Sequence, residues 1–294
     1  MTQVQHQQTK HPLSKGRYYR ARSVLSLCLA LGVIGCSANG AKSHYILGEK
    51  LWNDGKYAAA VSEFERATVQ DTRGKIGQQA LFRAAFTQVF FLSHYSEALR
   101  KLQLFVGNPI NSDNPNYWEA QKLIGEILFS KLEQYDQAIQ HYQALLAKKP
   151  TEDEAAEFTV RIGKSHFFRA EFDDALKAFR EISKAHPKSS WAERAAFEVG
   201  VTLYTRGEQH PSGHGQAHET YQEAIDAYEA FIQKYPKSTL VPEAKFGMAS
   251  CLEEMDQLDA AYNNYEAIKS TYPSPKVVQI RLARIRERKL QRSR

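Results

Sequence analysis

Residues 163–187 read GKSHFFRAEFDDALKAFREISKAHP, and one frame inside them decides the fold: Gly163, then Ala175, Phe179, Ile182 and Pro187. The apolar members fall three and four apart, the spacing of one helix face. The proline ends that helix, because it has no backbone N–H to donate and disfavours helix in the residue before it. The same frame recurs as Gly48, Ala60, Phe64, Ala67; as Gly125, Ala138, Tyr142, Leu145, Pro150 with one extra residue after the glycine; and as Gly200, Ala224, Tyr228, Phe231, Pro236 with twelve extra. It returns as Ala249, Ala261, Tyr265, Ile268, Pro273, and a weaker copy contains Ala98, Leu102 and Phe105. Six copies of a two-helix unit predict an all-α chain, an α-solenoid of helical hairpins that each contact only their neighbours.

Packing explains the frame. The glycine of the first helix (A) and the alanine of the second (B) are expected to face each other at the closest approach, while aromatic and apolar residues fill the groove toward the next hairpin. This order of small residue, alanine, aromatic, apolar and proline resembles the tetratricopeptide consensus. The intervals from Pro150 to Pro187 and from Pro236 to Pro273 are both 37 residues. The segment Asn108 to Pro115 is rich in turn formers and predicts a long loop between the second and third repeats, and residues 207–218 lengthen the fifth hairpin. Val278, Leu282 and Ile285 stand at helical spacing and predict a capping helix in the basic stretch 277–294, after a repeat domain over 44–276.

The front of the chain has another character. Residues 1–35 carry Lys10, Lys15, Arg17, Arg20 and Arg22, no acidic residue, and the apolar run Val24 to Ile34. That run is well short of the roughly 20 residues that span a bilayer core, and reads as an export signal. Val33-Ile34-Gly35-Cys36 resembles the lipobox of bacterial lipoproteins, in which a small residue precedes a cysteine that is lipidated and becomes the new N-terminus. The resemblance implies a signal peptide over 1–35, acylation (diacylglycerol and palmitate-type chains) at Cys36, and a linker over 36–43. Ser37, where an aspartate would favour inner-membrane retention, implies the outer membrane.

Charge excludes a basic nucleic-acid binder. Five of the 39 basic residues and none of the 33 acidic ones lie in 1–35, leaving 34 against 33. Arg281, Arg284, Arg286, Arg288, Lys289, Arg292 and Arg294 then crowd the last fourteen residues, so the body of the chain is slightly acidic and no nucleic-acid partner is expected. Of three cysteines, Cys28 lies in the signal and Cys36 is the lipidation residue. Cys251 stands alone in an apolar helix pattern, which excludes an intrachain disulfide and a cysteine zinc site after processing.

Aligning the A helices on their small residues, and on Phe86 in the second repeat, brings Trp52, Phe90, Phe129, Phe167 and Tyr204 to one position. In tetratricopeptide folds that part of helix A borders the concave surface, so these five rings are the candidate partner-binding groove; packing between repeats is the other reading of the same stripe. The sixth repeat has Glu253 there. His210, His214 and His218 are four apart, but Pro211, Gly213 and Gly215 favour a solvated loop, and no metal site or cofactor is expected. The basic tail either binds anionic lipid or an acidic partner or solvates a capping helix while favouring its C-terminal dipole. A phosphate loop, a His-Glu-x-x-His pair, a Gly-x-Ser-x-Gly elbow and zinc-type cysteine pairs are all absent, so no enzyme is expected.

A lipobox, a short linker and tetratricopeptide repeats with Tyr-Pro-x-Ser turns resemble the BamD family of outer-membrane lipoproteins. Membership implies a lipid-anchored scaffold on the periplasmic face of the outer membrane, with β-barrel assembly components as protein partners. The C-terminal repeats also resemble the YbgF or CpoB family of cell-division coordinators, and a lipid anchor on six repeats resembles the pilotin lipoproteins of secretin assembly. The chain departs from the BamD pattern in having six apparent repeats where that family has five.

Overall fold

A computed structural model describes residues 35–209 and 214–292. Among them the chain forms thirteen α-helices and no strand. Six hairpins follow in order: α1 (Gly35–Asn53) with α2 (Tyr57–Gln70), α3 (Lys75–Thr87) with α4 (Tyr95–Gly107), and α5 (Tyr117–Glu126) with α6 (Tyr135–Leu146). Then come α7 (Glu152–Phe168) with α8 (Phe172–Ala185), α9 (Ala192–Glu208) with α10 (His214–Lys234), α11 (Val241–Glu254) with α12 (Leu258–Ile268), and the single helix α13 (Pro275–Arg292). The solenoid expected from the repeat frame is therefore present, capped as expected. No described helix is long and apolar enough to cross a membrane.

Each B helix packs on the A helix before it and the A helix after it, whereas α1 touches α3, α7 touches α9 and α9 touches α11. The shorter spacing between A helices puts them on the inner side of the array. The core is accordingly a row of apolar clusters running along the axis, from Phe64 and Ala80 between α1 and α3 to Tyr265 and Ile285 between α11 and α13.

The small residue of helix A has a sharper role than the sequence suggested. A Cβ on Gly48, Gly125, Gly163 or Gly200 would lie 2.6, 2.6, 2.7 or 2.5 Å from the ring of Phe64, Tyr142, Phe179 or Tyr228. The glycine makes room for the aromatic residue of helix B, four residues beyond the alanine, and not for the alanine itself. The rings that fill this space are buried, Phe64 and Phe179 completely.

Two A helices end in a π-helical turn, α3 through Gln88–Leu92 and α5 through Ile127–Lys131. A π turn accommodates one residue more than an α turn, which is where the extra residue between Gly125 and Ala138 goes. By the same spacing from Ala98, the small residue of the second repeat is Ala85, fully buried, and not Phe86.

Three expected loops take definite form. The stretch 36–43, expected as a linker, continues helix α1 from Gly35, with Ala41 already buried. In the 108–115 loop, Asn111 donates to Gln78 Oε1 (2.7 Å) and to the Phe105 carbonyl (2.8 Å), pinning the loop to the second hairpin. The lengthened fifth hairpin is largely helical, since α9 reaches Glu208 and α10 begins at His214. The expected signal segment, apart from Gly35, and His210 lie outside the described residues, as do the side chains of Cys36 and His214.

Candidate partner-binding surface

A shared turn positions the aromatic residues. Helix A ends on a residue with positive φ, which is Gly55 (76°), Ser93 (57°), Glu133 (53°), Ala170 (58°) or Asp256 (64°). One bridging residue follows near φ −86°, ψ 65°, and helix B then begins with Tyr57, Tyr95, Tyr135, Phe172 or Leu258. The bridging amide closes the turn on the end of helix A, as in Gln134 N to Leu128 O at 2.8 Å. A non-glycine residue held left-handed there costs of order 1 kcal/mol, and Gly55 is the plainest sign of the turn in the sequence.

Counted back from this turn, the five stripe residues separate. Trp52, Phe90 and Phe167 stand three before the left-handed residue. Phe129 stands four before Glu133, and the exposed Ser130 takes its place. The π turn has shifted Phe129 inward, so it is only 8% exposed and belongs to the central core. Trp52, Phe167 and Tyr204 are half-buried, and Phe90 is 54% exposed, against Phe86 at 4.5 Å. Burial and a 2.8 Å hydrogen bond to Glu208 push the Tyr204 hydroxyl pKa up, keeping it protonated. One continuous exposed stripe is therefore not formed; most of these rings pack between repeats.

The neighbouring position, two before the left-handed residue, was not singled out in the sequence and is where rings meet across hairpins. Phe91 stacks on Tyr57 of the preceding hairpin (4.2 Å, 29°) and meets Trp52 edge-on (5.4 Å, 84°). Phe168 repeats the arrangement on Tyr135 (5.3 Å, 17°) and Phe129 (6.0 Å). Between them Lys131 places its ammonium 5.7 Å from the Tyr95 ring. Arginines lie over the same clusters, Arg83 on Trp52 at 4.6 Å and Arg161 on Phe129 at 5.3 Å. Phe91 and Phe168 remain 41% and 56% exposed. Two open aromatic patches, each flanked by a cation, thus lie along one edge of the A helices. The signal for them was the doubled aromatics Phe90-Phe91 and Phe167-Phe168, of which only the first member entered the alignment.

The basic tail is mostly engaged. Arg281, Arg284 and Arg288 of α13 converge on the fully buried carboxylate of Glu253, at 3.5, 3.5 and 3.6 Å. Tyr265 donates to the same carboxylate. Arg288 also pairs with Asp256 at 2.9 Å, Arg292 joins it, and Lys289 pairs with Asp259. The aromatic position thus turns acidic in the sixth repeat because the next helix brings cations. Of the tail's two readings, the capping one accounts for these contacts.

Other chemistry is sparse. His166, Glu171 and Asp174 lie close enough to share a cation, but Glu171 is already paired with His166 (2.7 Å) and Arg169 (2.9 Å), an ion-paired turn. His218 is exposed on α10. Cys251 is fully buried, and burial, with Glu208 and Glu254 nearby, pushes its thiol up to about 12. Since the thiolate is the reactive form, Cys251 is expected to resist a maleimide at neutral pH in the folded protein and to react at once in denaturant. Stoichiometric labelling of the native chain at that position would contradict this burial.

The family model described as outer membrane lipoprotein (YfiO) matches residues 129–274, and a tetratricopeptide-repeat model matches 90–153. The outer membrane protein assembly factor BamD of Caulobacter vibrioides is 31% identical over 111 residues, covering 37% of this chain and 32% of that protein. The chain thus aligns with about a third of that relative's length. In fold it is similar to a tetratricopeptide repeat protein from Parabacteroides merdae (TM-score 0.56, 15% identity, 87% of this chain and 89% of that one). It is also similar to PilW, a type IV pilus biogenesis factor (TM-score 0.51, 13% identity, 82% and 97%).

Proposed function

We propose that this chain, a BamD-like tetratricopeptide-repeat protein, is a non-catalytic, lipid-anchored scaffold that holds protein partners of the cell envelope during outer-membrane β-barrel assembly. The observation that carries the reading is the match of residues 129–274 to the outer membrane lipoprotein model, which runs from the π turn after α5 through the sixth hairpin. Cys36 is the lipidation residue in this reading, and the periplasmic face of the outer membrane its place. The open patches at Phe90, Phe91 and Phe168 offer rigid apolar area at little entropic cost, with a cation beside them, the composition that anchors protein partners.

Affinity capture from envelope extracts tests the role. Recovery of barrel-assembly components supports it; recovery of penicillin-binding proteins, of Tol-Pal proteins or of secretin subunits in their place overturns it. Changing Phe91 and Phe168 together to Ala is expected to weaken capture of the recovered partner about 30-fold, the loss of an interface anchor. Thermal stability of the variant measures the packing share. Unchanged capture by a folded variant would show that these rings serve only the hairpin interfaces.

A further inference from the structure

Helix α1 differs from every later A helix, because no described B helix precedes it. The side that α3, α5, α7, α9 and α11 turn toward the preceding hairpin is uncovered in α1. Its opposite side is engaged: Ala41 is fully buried, Gly48 lies under the Phe64 ring, and His44 Nδ1 meets Glu63 at 2.6 Å. The uncovered side carries Lys42, Ser43, Ile46, Leu47 and Lys50, all exposed, with Ile46 at 57% and Leu47 at 43%. The helix holds one carboxylate, Glu49, and Arg83 grips it at 2.6 and 3.0 Å. Two aliphatic side chains and two unopposed lysines are thus the chemistry this face offers.

Helical register connects that face to Cys36. The helix is continuous from Gly35, and Ser43, Leu47 and Lys50 follow Cys36 by seven, eleven and fourteen residues, close to two, three and four turns. No flexible segment separates the expected lipid-bearing residue from the apolar pair, which stands about 16 Å along the same helix. We infer that α1 lies along the bilayer surface, with Ile46 and Leu47 at the boundary of headgroups and acyl chains and Lys42 and Lys50 against anionic headgroups. Amphipathic helices seat themselves in this way, and each lysine near an anionic surface adds to the attraction. The inference deepens the scaffold reading and rests on lipidation at Cys36: the lipid holds the protein to the membrane, and α1 sets the angle at which the solenoid stands.

The test uses the full processed protein in vesicles of phosphatidylethanolamine with and without phosphatidylglycerol. A fluorescent probe is placed at Ser43→Cys, or at the exposed Ala59→Cys of α2 as a control. Bilayer-borne nitroxide lipid is expected to quench the probe at 43 several-fold more than the probe at 59, more so with phosphatidylglycerol. Ile46→Asp is expected to abolish the difference and Lys42→Glu with Lys50→Glu the phosphatidylglycerol effect, with circular dichroism unchanged. A probe at 43 that stays open to aqueous iodide in vesicle-bound protein overturns the inference and leaves the anchor intact. One shielded from both quenchers overturns it too, by showing a second copy or another protein on that face. If mass spectrometry finds no acyl group on Cys36, the anchor reading falls, and the contrast between 43 and 59 on phosphatidylglycerol vesicles still decides whether α1 seats on lipid.

Discussion

Phe179→Ala is expected to destabilise the protein by about 3–5 kcal/mol, the range for truncating a fully buried aromatic ring. The ring is completely buried, under Gly163, among Ala156, Val160, Ile182 and Ala195, so its removal opens a cavity between two hairpins at once. The backbone relaxes little around such a hole because α7, α8 and α9 all border it. Phe90→Ala, which removes a ring of the same size from a half-open site, is expected to cost under about 1 kcal/mol, since most of its transfer energy is never gained. Urea unfolding followed by circular dichroism measures both. Equal losses at the two sites would mean that the exposed ring is covered in solution and that the aromatic edge is part of the core.

Ending the chain after Ser274, which removes α13, is expected to unfold the sixth hairpin selectively. Val278, Leu282 and Ile285 are buried against Tyr265, Ile268 and Leu258, and each aliphatic side chain so buried contributes about 1.5–3 kcal/mol. The arginines that neutralise Glu253 leave with the same helix. Stability in a solenoid is nearly a sum of hairpin and nearest-neighbour contributions, so the loss is concentrated in α11 and α12. Hydrogen exchange is the measurement: amides of α11 and α12 lose protection while those of α1 through α8 keep it. Uniform loss along the whole array would show that the solenoid unfolds as one unit and that α13 is no local cap.

The repeat frame made the hairpins legible because small residue, alanine, aromatic and proline each answer to a packing or backbone requirement that recurs every hairpin. Burial of the aromatic stripe was not legible in the same way. Phe129 was placed by counting from Gly125, and a π turn absorbs one residue between the two, which no local composition marks. The turn that fixes the count is left-handed at Ser93, Glu133, Ala170 and Asp256; Glu133 and Ala170 carry no turn signature, and a lone Ser or Asp is a far weaker sign than Gly55. The pairing of Phe91 with Tyr57 and of Phe168 with Tyr135 is a contact between hairpins, and periodicity within one hairpin says nothing of which side chain reaches its neighbour. The basic tail was legible as charge but not as pairing, because Glu253, Asp256 and Asp259 belong to another repeat.

Glu253 ties the sixth hairpin to α13. At the position where earlier hairpins pass an aromatic or hydroxyl side chain forward, the sixth presents a buried acid, and an ordinary hairpin added in place of α13 would have to bury that charge without three arginines to meet it. Leaving such a charge unpaired is costly enough to oppose the addition. A hairpin docked there in place of α13 would therefore have to bring cations of its own to residue 253.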